Sequence, residues 1–183
     1  MLRASATARL LIVGQAPGTR VHETGVPWND ASGDRLRGWL GMTRAAFYDE
    51  SRIAVIPTGL CYPGRLQQGG DAPPRAGCAA HWHPRLLPLL SGLRLTLLVG
   101  SHAQAFALGR GGMTGLVRDF RRCLPDRFPL PHPSWRTIGW EQRNPWFAAE
   151  VLPALRAAVA AALADAPFDR SGAPSYPGCG GGR

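Results

Sequence analysis

The sequence predicts an α/β domain with three layers, α/β/α, around a central, mainly parallel four-stranded sheet. Two observations predict it. Short, largely apolar runs at residues 10–13, 53–56, 93–99 and 128–130 read as strands of the kind buried on both faces. Helical patterns fall between these runs, and strands that alternate with helices build parallel sheets.

The elements follow in order. The run at 10–13, Leu-Leu-Ile-Val, stops at Gly14, and the run at 93–99 stops at Gly100. The run at 128–130 is the weakest and leads into Pro131-His132-Pro133. Ser32 is a candidate N-cap for a helix over 33–40, with Leu36, Trp39 and Leu40 on one face and Asp34 in its first turn. Residues 75–90 predict a helix interrupted near Pro84 and Pro88. Residues 101–108 predict a helix directly after the third strand, with Ser101 as its cap. A long final helix is expected over 145–164, where Phe147, Val151, Leu155 and Val159 share an apolar stripe. Pro153 should kink or divide it. Ligands of such sheets bind beyond the carboxyl ends of the strands. The loops at 14–30, 57–70, 100–102 and 131–137 should therefore surround one site.

Residues 1–164 read as one domain, and residues 165–183, rich in Gly and Pro without periodicity, as a disordered tail. A chain of 183 residues is long enough to bury a core. Its 21 basic residues are all arginine and exceed the 12 acidic ones, giving a net charge of +9. That charge suits an anionic partner, but an arginine-only chain with 23 glycines and 17 prolines also fits genomic composition bias. No apolar run approaches the roughly 20 residues of a membrane span. Residues 1–9 lack the apolar stretch of a secretory signal, and four cysteines do not make a disulfide scaffold. The expectation is a cytoplasmic monomer with no membrane partner.

Three groups of residues carry a family resemblance. The first strand runs into Gly14-Gln15-Ala16-Pro17-Gly18, followed by Gly25-Val26-Pro27-Trp28. The last strand runs into His132-Pro133-Ser134. Between them lie Cys61-Tyr62-Pro63-Gly64-Arg65, Asp71-Ala72-Pro73-Pro74-Arg75 and Cys78. In order and spacing this resembles the uracil-DNA glycosylase superfamily, most of all its iron–sulfur type. The resemblance implies an enzyme of base excision repair that hydrolyses the N-glycosidic bond of uracil or a related deaminated base. Its partner would be DNA carrying that base, extruded from the stack because a base inside a duplex is inaccessible.

The resemblance also implies roles. Gly14, Gln15, Ala16, Pro17 and Gly18 would line the base pocket, the glycines allowing close backbone approach. Trp28 would stack on the base. His132, as a neutral imidazole donor, would stabilise negative charge developing on the base. Pro133, Ser134 and Arg136 would meet DNA.

Three departures from the family pattern matter. The carboxylates that some members carry at the positions of Gln15 and Ala16 are missing. The stretch Asn29-Asp30-Ala31-Ser32-Gly33-Asp34 matches other members, and it makes Asp30 the candidate base or water-positioning group. A turn aspartate bonding local N–H groups is the competing reading. An Asn that reads uracil in many members is replaced by Pro57, leaving Thr58 as the candidate substitute. Such a site would read uracil differently, take xanthine or hypoxanthine, or only bind DNA or a nucleotide without catalysis. The cysteine pair before the first strand is also absent. A four-iron cluster needs four thiolates, and Cys61, Cys78, His81 and His83 are irregularly spaced for zinc. No cofactor and no metal is therefore expected.

Overall fold

The structure is a computed structural model that describes residues 1–109 and 111–165. Its strands are β1 (Leu10–Val13), β2 (Ile53–Val55), β3 (Leu95–Val99) and β4 (Arg127–Leu130). They form one sheet in the order β2-β1-β3-β4 with every pair parallel. Leu10 lies opposite both Ile53 and Leu95, so β1 is the shared neighbour of two strands. This is the expected three-layer architecture.

The α-helices among the described residues are α1 (Thr19–Thr24), α2 (Ala31–Leu40), α3 (Arg44–Phe47), α4 (Cys78–Leu86), α5 (Ser101–Leu108), α6 (Met113–Arg118), α7 (Ile138–Arg143) and α8 (Leu152–Leu163). Side chains of β1 alternate between two cores. Leu10 and Ile12 join Leu36, Phe147, Leu155 and Val159, under α2 and α8. Leu11 and Val13 join Ala54, Leu98 and Ala103, under α4 and α5. The strands are buried on both faces apart from the partly buried Thr96 and Arg127, which explains their largely apolar sequence.

Local chemistry shifts several expected boundaries. Asp30, not Ser32, caps α2: its Oδ1 accepts from the Gly33 amide at 2.8 Å, and the helix starts at Ala31. Gly100 occupies the cap position of α5 with φ +88°, and Ser101 is the first helical residue. The helix expected over 75–90 is shorter. It begins at Cys78 after Gly77, contains Pro84, and tightens into a 3-10 turn at Leu87–Leu89 where Pro88 removes a donor. The final helix is divided as Pro153 requires, into a π-helical turn at Phe147–Val151 and then α8. The short helices α1, α3, α6 and α7 were not expected. Residues 166–183 of the expected tail lie outside the described residues. Asp165, just before them, pairs with Arg9 at 2.8 Å.

The central strands set the stability of this arrangement. Leu97 is fully buried on β3, between β1 and β4. Leu97→Ala should cost about 2–5 kcal/mol in urea unfolding, the range for a leucine removed from a packed core.

Candidate functional site

A cavity of about 570 Å³ opens at the carboxyl ends of β1, β2 and β4. That volume is ordinary for a small-molecule site, where about 300–1,000 Å³ is usual. The loop from Gly14 to Gly18 forms one wall, Pro27, Trp28 and Asp30 another, and His132 with Ser134 to Arg136 a third. Gly69, Gly70 and Asp71 close the remaining side. Of the loops expected to surround the site, 100–102 does not line it. Gly100 instead lies beneath His132, where an added Cβ would stand 3.4 Å from the histidine's own Cβ.

Trp28 is held from behind. Its φ is +56°, a left-handed conformation that costs a bulky residue energy. Arg37 on α2 donates to the Trp28 carbonyl at 3.2 Å, and Tyr48 donates to the Pro27 carbonyl at 2.8 Å. Arg37 is only 6% exposed. It pairs with Asp34 at 2.5 Å and lies over the Phe47 and Tyr48 rings. Gly33 leaves room for this turn, since a Cβ there would fall 1.8 Å from the Trp28 carbonyl oxygen. On the other side, the indole rests against Gly14, 3.0 Å from an ideal Cβ position.

His132 faces Trp28 with ring centroids 5.7 Å apart. Buried prolines flank it. Its carbonyl accepts from the Ser134 amide at 2.8 Å and from the Thr137 hydroxyl. Arg35 of α2 donates to the Ser134 carbonyl at 2.6 Å and pairs with Glu141 of α7, which ties this loop to the helix that Asp30 caps. Gln104 donates to the Leu130 carbonyl at 2.7 Å and fixes the end of β4. Burial pushes the His132 imidazole below the ordinary histidine range, and the Asp30 carboxylate only partly opposes this. The ring is therefore neutral near pH 7.

Asp30 lines the same cavity as well as capping α2. Oδ1 caps α2, while the carboxylate acts electrostatically on His132. Gln15, Ala16, Pro17 and Gly18 all border the cavity. The Gln15 amide nitrogen donates to the Ala72 carbonyl at 3.3 Å and ties this loop to the segment after β2.

Thr58 sits differently from the expectation. It is buried outside the lining, and its hydroxyl meets the Gly14 and Gln15 carbonyls at 3.1 and 2.5 Å. It fastens the first loop, and Pro57 faces the cavity instead. Pro133 is also buried outside the lining, whereas Ser134 and Arg136 border it.

Three contributors escaped the sequence reading. Trp135 stands at the cavity mouth, 70% exposed, with the Arg136 guanidinium 4.7 Å from its ring centroid. Asp71 comes from a hairpin turn and accepts from the Thr19 hydroxyl at 3.3 Å. Arg37 acts through the Trp28 backbone. Trp135, adjacent to the His132-Pro133-Ser134 motif, and Asp71, inside the Asp71-Ala72-Pro73-Pro74-Arg75 segment, carried a signal, and Arg37 did not.

Among the described residues three cysteines are seen, each in a different setting. Cys61 is exposed, Cys78 accepts from the Leu60 amide at 3.4 Å, and Cys123 is buried in the turn before β4. His83 is buried and donates to the Pro57 carbonyl at 3.1 Å. Among the described residues no group of three or more His, Cys, Asp or Glu side chains is placed to hold a metal ion.

Two outcomes follow from this geometry. Arg37→Met should destabilise the fold by about 1–3 kcal/mol, because the Trp28 carbonyl loses its donor; thermal unfolding measures it. His132 titrates lower in the folded than in the unfolded chain, so the unfolded chain binds the proton first as pH falls. The stability it contributes is complete above about pH 6.5, the unfolded value, and declines as pH falls through the lowered folded value. His132→Gln should flatten that part of a urea-unfolding profile against pH.

The family model described as the Uracil DNA glycosylase superfamily matches residues 3–156. The match begins before β1 and ends inside α8, so it takes in all four strands and every loop of the cavity. Such a match supports a glycosylase-type function in DNA repair, with DNA as the substrate. The chain belongs to the uracil DNA glycosylase superfamily.

Proposed function

We propose that the protein is a DNA glycosylase that hydrolyses the N-glycosidic bond of uracil or a related deaminated base flipped out of DNA. One observation supports this above the rest: an indole, a neutral imidazole and a carboxylate border one cavity at the end of a parallel sheet. The flipped base stacks on Trp28, whose backbone is locked in advance. The first loop encloses the base edge, with Gly14 and Gly18 allowing close backbone approach. Water adds to the sugar C1′ as the C1′–N bond breaks. The base leaves with the bonding electron pair, and the water proton is passed on so that the products are the neutral base and an abasic sugar. His132 donates a hydrogen bond where negative charge gathers on the base. Asp30 orients the water and favours positive charge on the sugar. At the rim, Trp135 fills the gap the flipped base leaves in the stack, and Arg136 meets phosphate.

A second reading, a DNA- or nucleotide-binding protein without catalysis, is favoured by Pro57 and by the missing carboxylate at Ala16. The deciding experiment uses single- and double-stranded oligonucleotides containing uracil, hypoxanthine or xanthine, with alkaline cleavage at abasic sites as readout. Strand breaks with at least one base are expected. No product with any base would sink the glycosylase and leave the binding protein.

Asp30→Asn isolates the chemistry, because asparagine caps helices about as well as aspartate. It should fold normally yet lose activity by about 10²- to 10⁴-fold. Undiminished activity would remove Asp30 from the mechanism. His132→Ala should lose on the order of 10²-fold or more in kcat.

A further inference from the structure

Beside the cavity, two rings that the catalytic reading does not use stack on each other. His22 of α1 and Tyr62 of the segment after β2 have centroids 5.0 Å apart and planes inclined by 22°. The pair is built rather than incidental. The Tyr62 hydroxyl and the Thr19 hydroxyl are 2.9 Å apart, and Thr19 donates in turn to Asp71, a residue of the cavity lining. The His22 amide donates to the Gly18 carbonyl at 2.9 Å, which fixes the helix turn that carries the ring. His22 follows Val21, also of the lining, and is itself exposed. Neither ring belongs to the two hydrophobic cores. Burial therefore does not account for an aromatic pair kept at this place.

We propose that the His22–Tyr62 pair is a stacking platform for an unpaired nucleobase of the strand whose neighbouring base occupies the cavity. The inference rests on the reading that this protein takes DNA, but not on its cutting it. Every base has a π face, so a fixed aromatic surface holds single-stranded nucleic acid without reading its sequence. Bases inside a duplex are already stacked and do not offer that face. Charge does not explain the platform. The charged group tied to it is a carboxylate, Asp71, through the Thr19 hydroxyl that also meets Tyr62. The platform thus gives the protein a preference for single strands or for locally opened duplex.

Binding of a short oligothymidylate, which contains no deaminated base, tests this by fluorescence anisotropy. The same variants are measured on a duplex, and thermal unfolding controls for folding. His22→Ala should weaken single-strand binding on the order of 5- to 100-fold, the loss typical of one base–aromatic stack. His22→Phe should restore it, because it keeps a ring and removes the imidazole nitrogens. Duplex affinity and the slope of affinity against salt should stay the same, since no phosphate contact is removed. Unchanged single-strand binding in His22→Ala would overturn the proposal. So would equal losses on single strand and duplex, or a failure of His22→Phe to restore binding. Because the probe has no base to excise, a protein without glycosylase activity would still give these results. The two readings therefore fail separately.

Discussion

The parallel pairing of β1 with both β2 and β3 is the constraint from which the rest follows. β2 takes one side of β1, so β3 must take the other and cannot lie beside β2. The chain leaves β1 toward β2 and later returns across β1 to build β3 and β4. Loops at the carboxyl ends are drawn apart, and a crevice remains over the end of β1. The first loop is pinned at that point. The Thr58 amide and hydroxyl both hold the Gly14 carbonyl, and the Gly59 amide holds Gln15. The loop therefore cannot collapse into the crevice it borders.

Helix α2 is the mount for the remaining groups. Leu36, Trp39 and Leu40 anchor it in the core, and Arg156 of α8 donates to its Trp39 carbonyl at 3.0 Å. Asp30 caps it, Gly33 makes room for Trp28, Arg37 holds the Trp28 carbonyl, and Arg35 reaches the loop of His132. One rigid element thus sets the relative positions of indole, imidazole and carboxylate. The left-handed Trp28 costs about 1–3 kcal/mol. The two hydrogen bonds to Pro27 and Trp28 return about 0.5–1.5 kcal/mol each, enough to offset it. A tryptophan in a relaxed conformation would need no such support, and its ring would not be held toward the cavity.

The legible parts of the sequence were those governed by burial. Four largely apolar runs marked the four strands because these are mostly enclosed on both faces. The loops after β1 and β4 were legible because Gly, Pro and His carry backbone consequences of their own. Short helices such as α1 and α3 were not legible, because six or four residues give no period to detect. The cap of α2 was misassigned for a physical reason. Ser32 and Asp30 are both good caps, and the choice falls to Asp30 because the left-handed Trp28 delivers the chain to the helix two residues sooner. Thr58 was read as a ligand group because a hydroxyl can face either way. Only the structure shows it bonded inward. Arg37 had no local signal, since its function lies nine residues away in the Trp28 carbonyl.

The arginine excess divides in the same way. Arg9, Arg52 and Arg94 converge on carbonyls at the end of α8, where a helix concentrates negative potential. Arg35, Arg37 and Arg156 are also committed to the fold. Six of the 21 arginines are therefore engaged within the fold, so the total charge overstates what faces a partner. The cavity lining carries the carboxylates of Asp30 and Asp71, with Arg136 at its mouth. Under the proposed reaction this placement has a consequence. Carboxylates favour a cationic sugar but oppose an anionic base leaving beside them. The group that makes departure of the base feasible is then the hydrogen bond from His132. A neutral imidazole suits this better than a charged one, because a cation beside Asp30 would form an ion pair and spend its donor there.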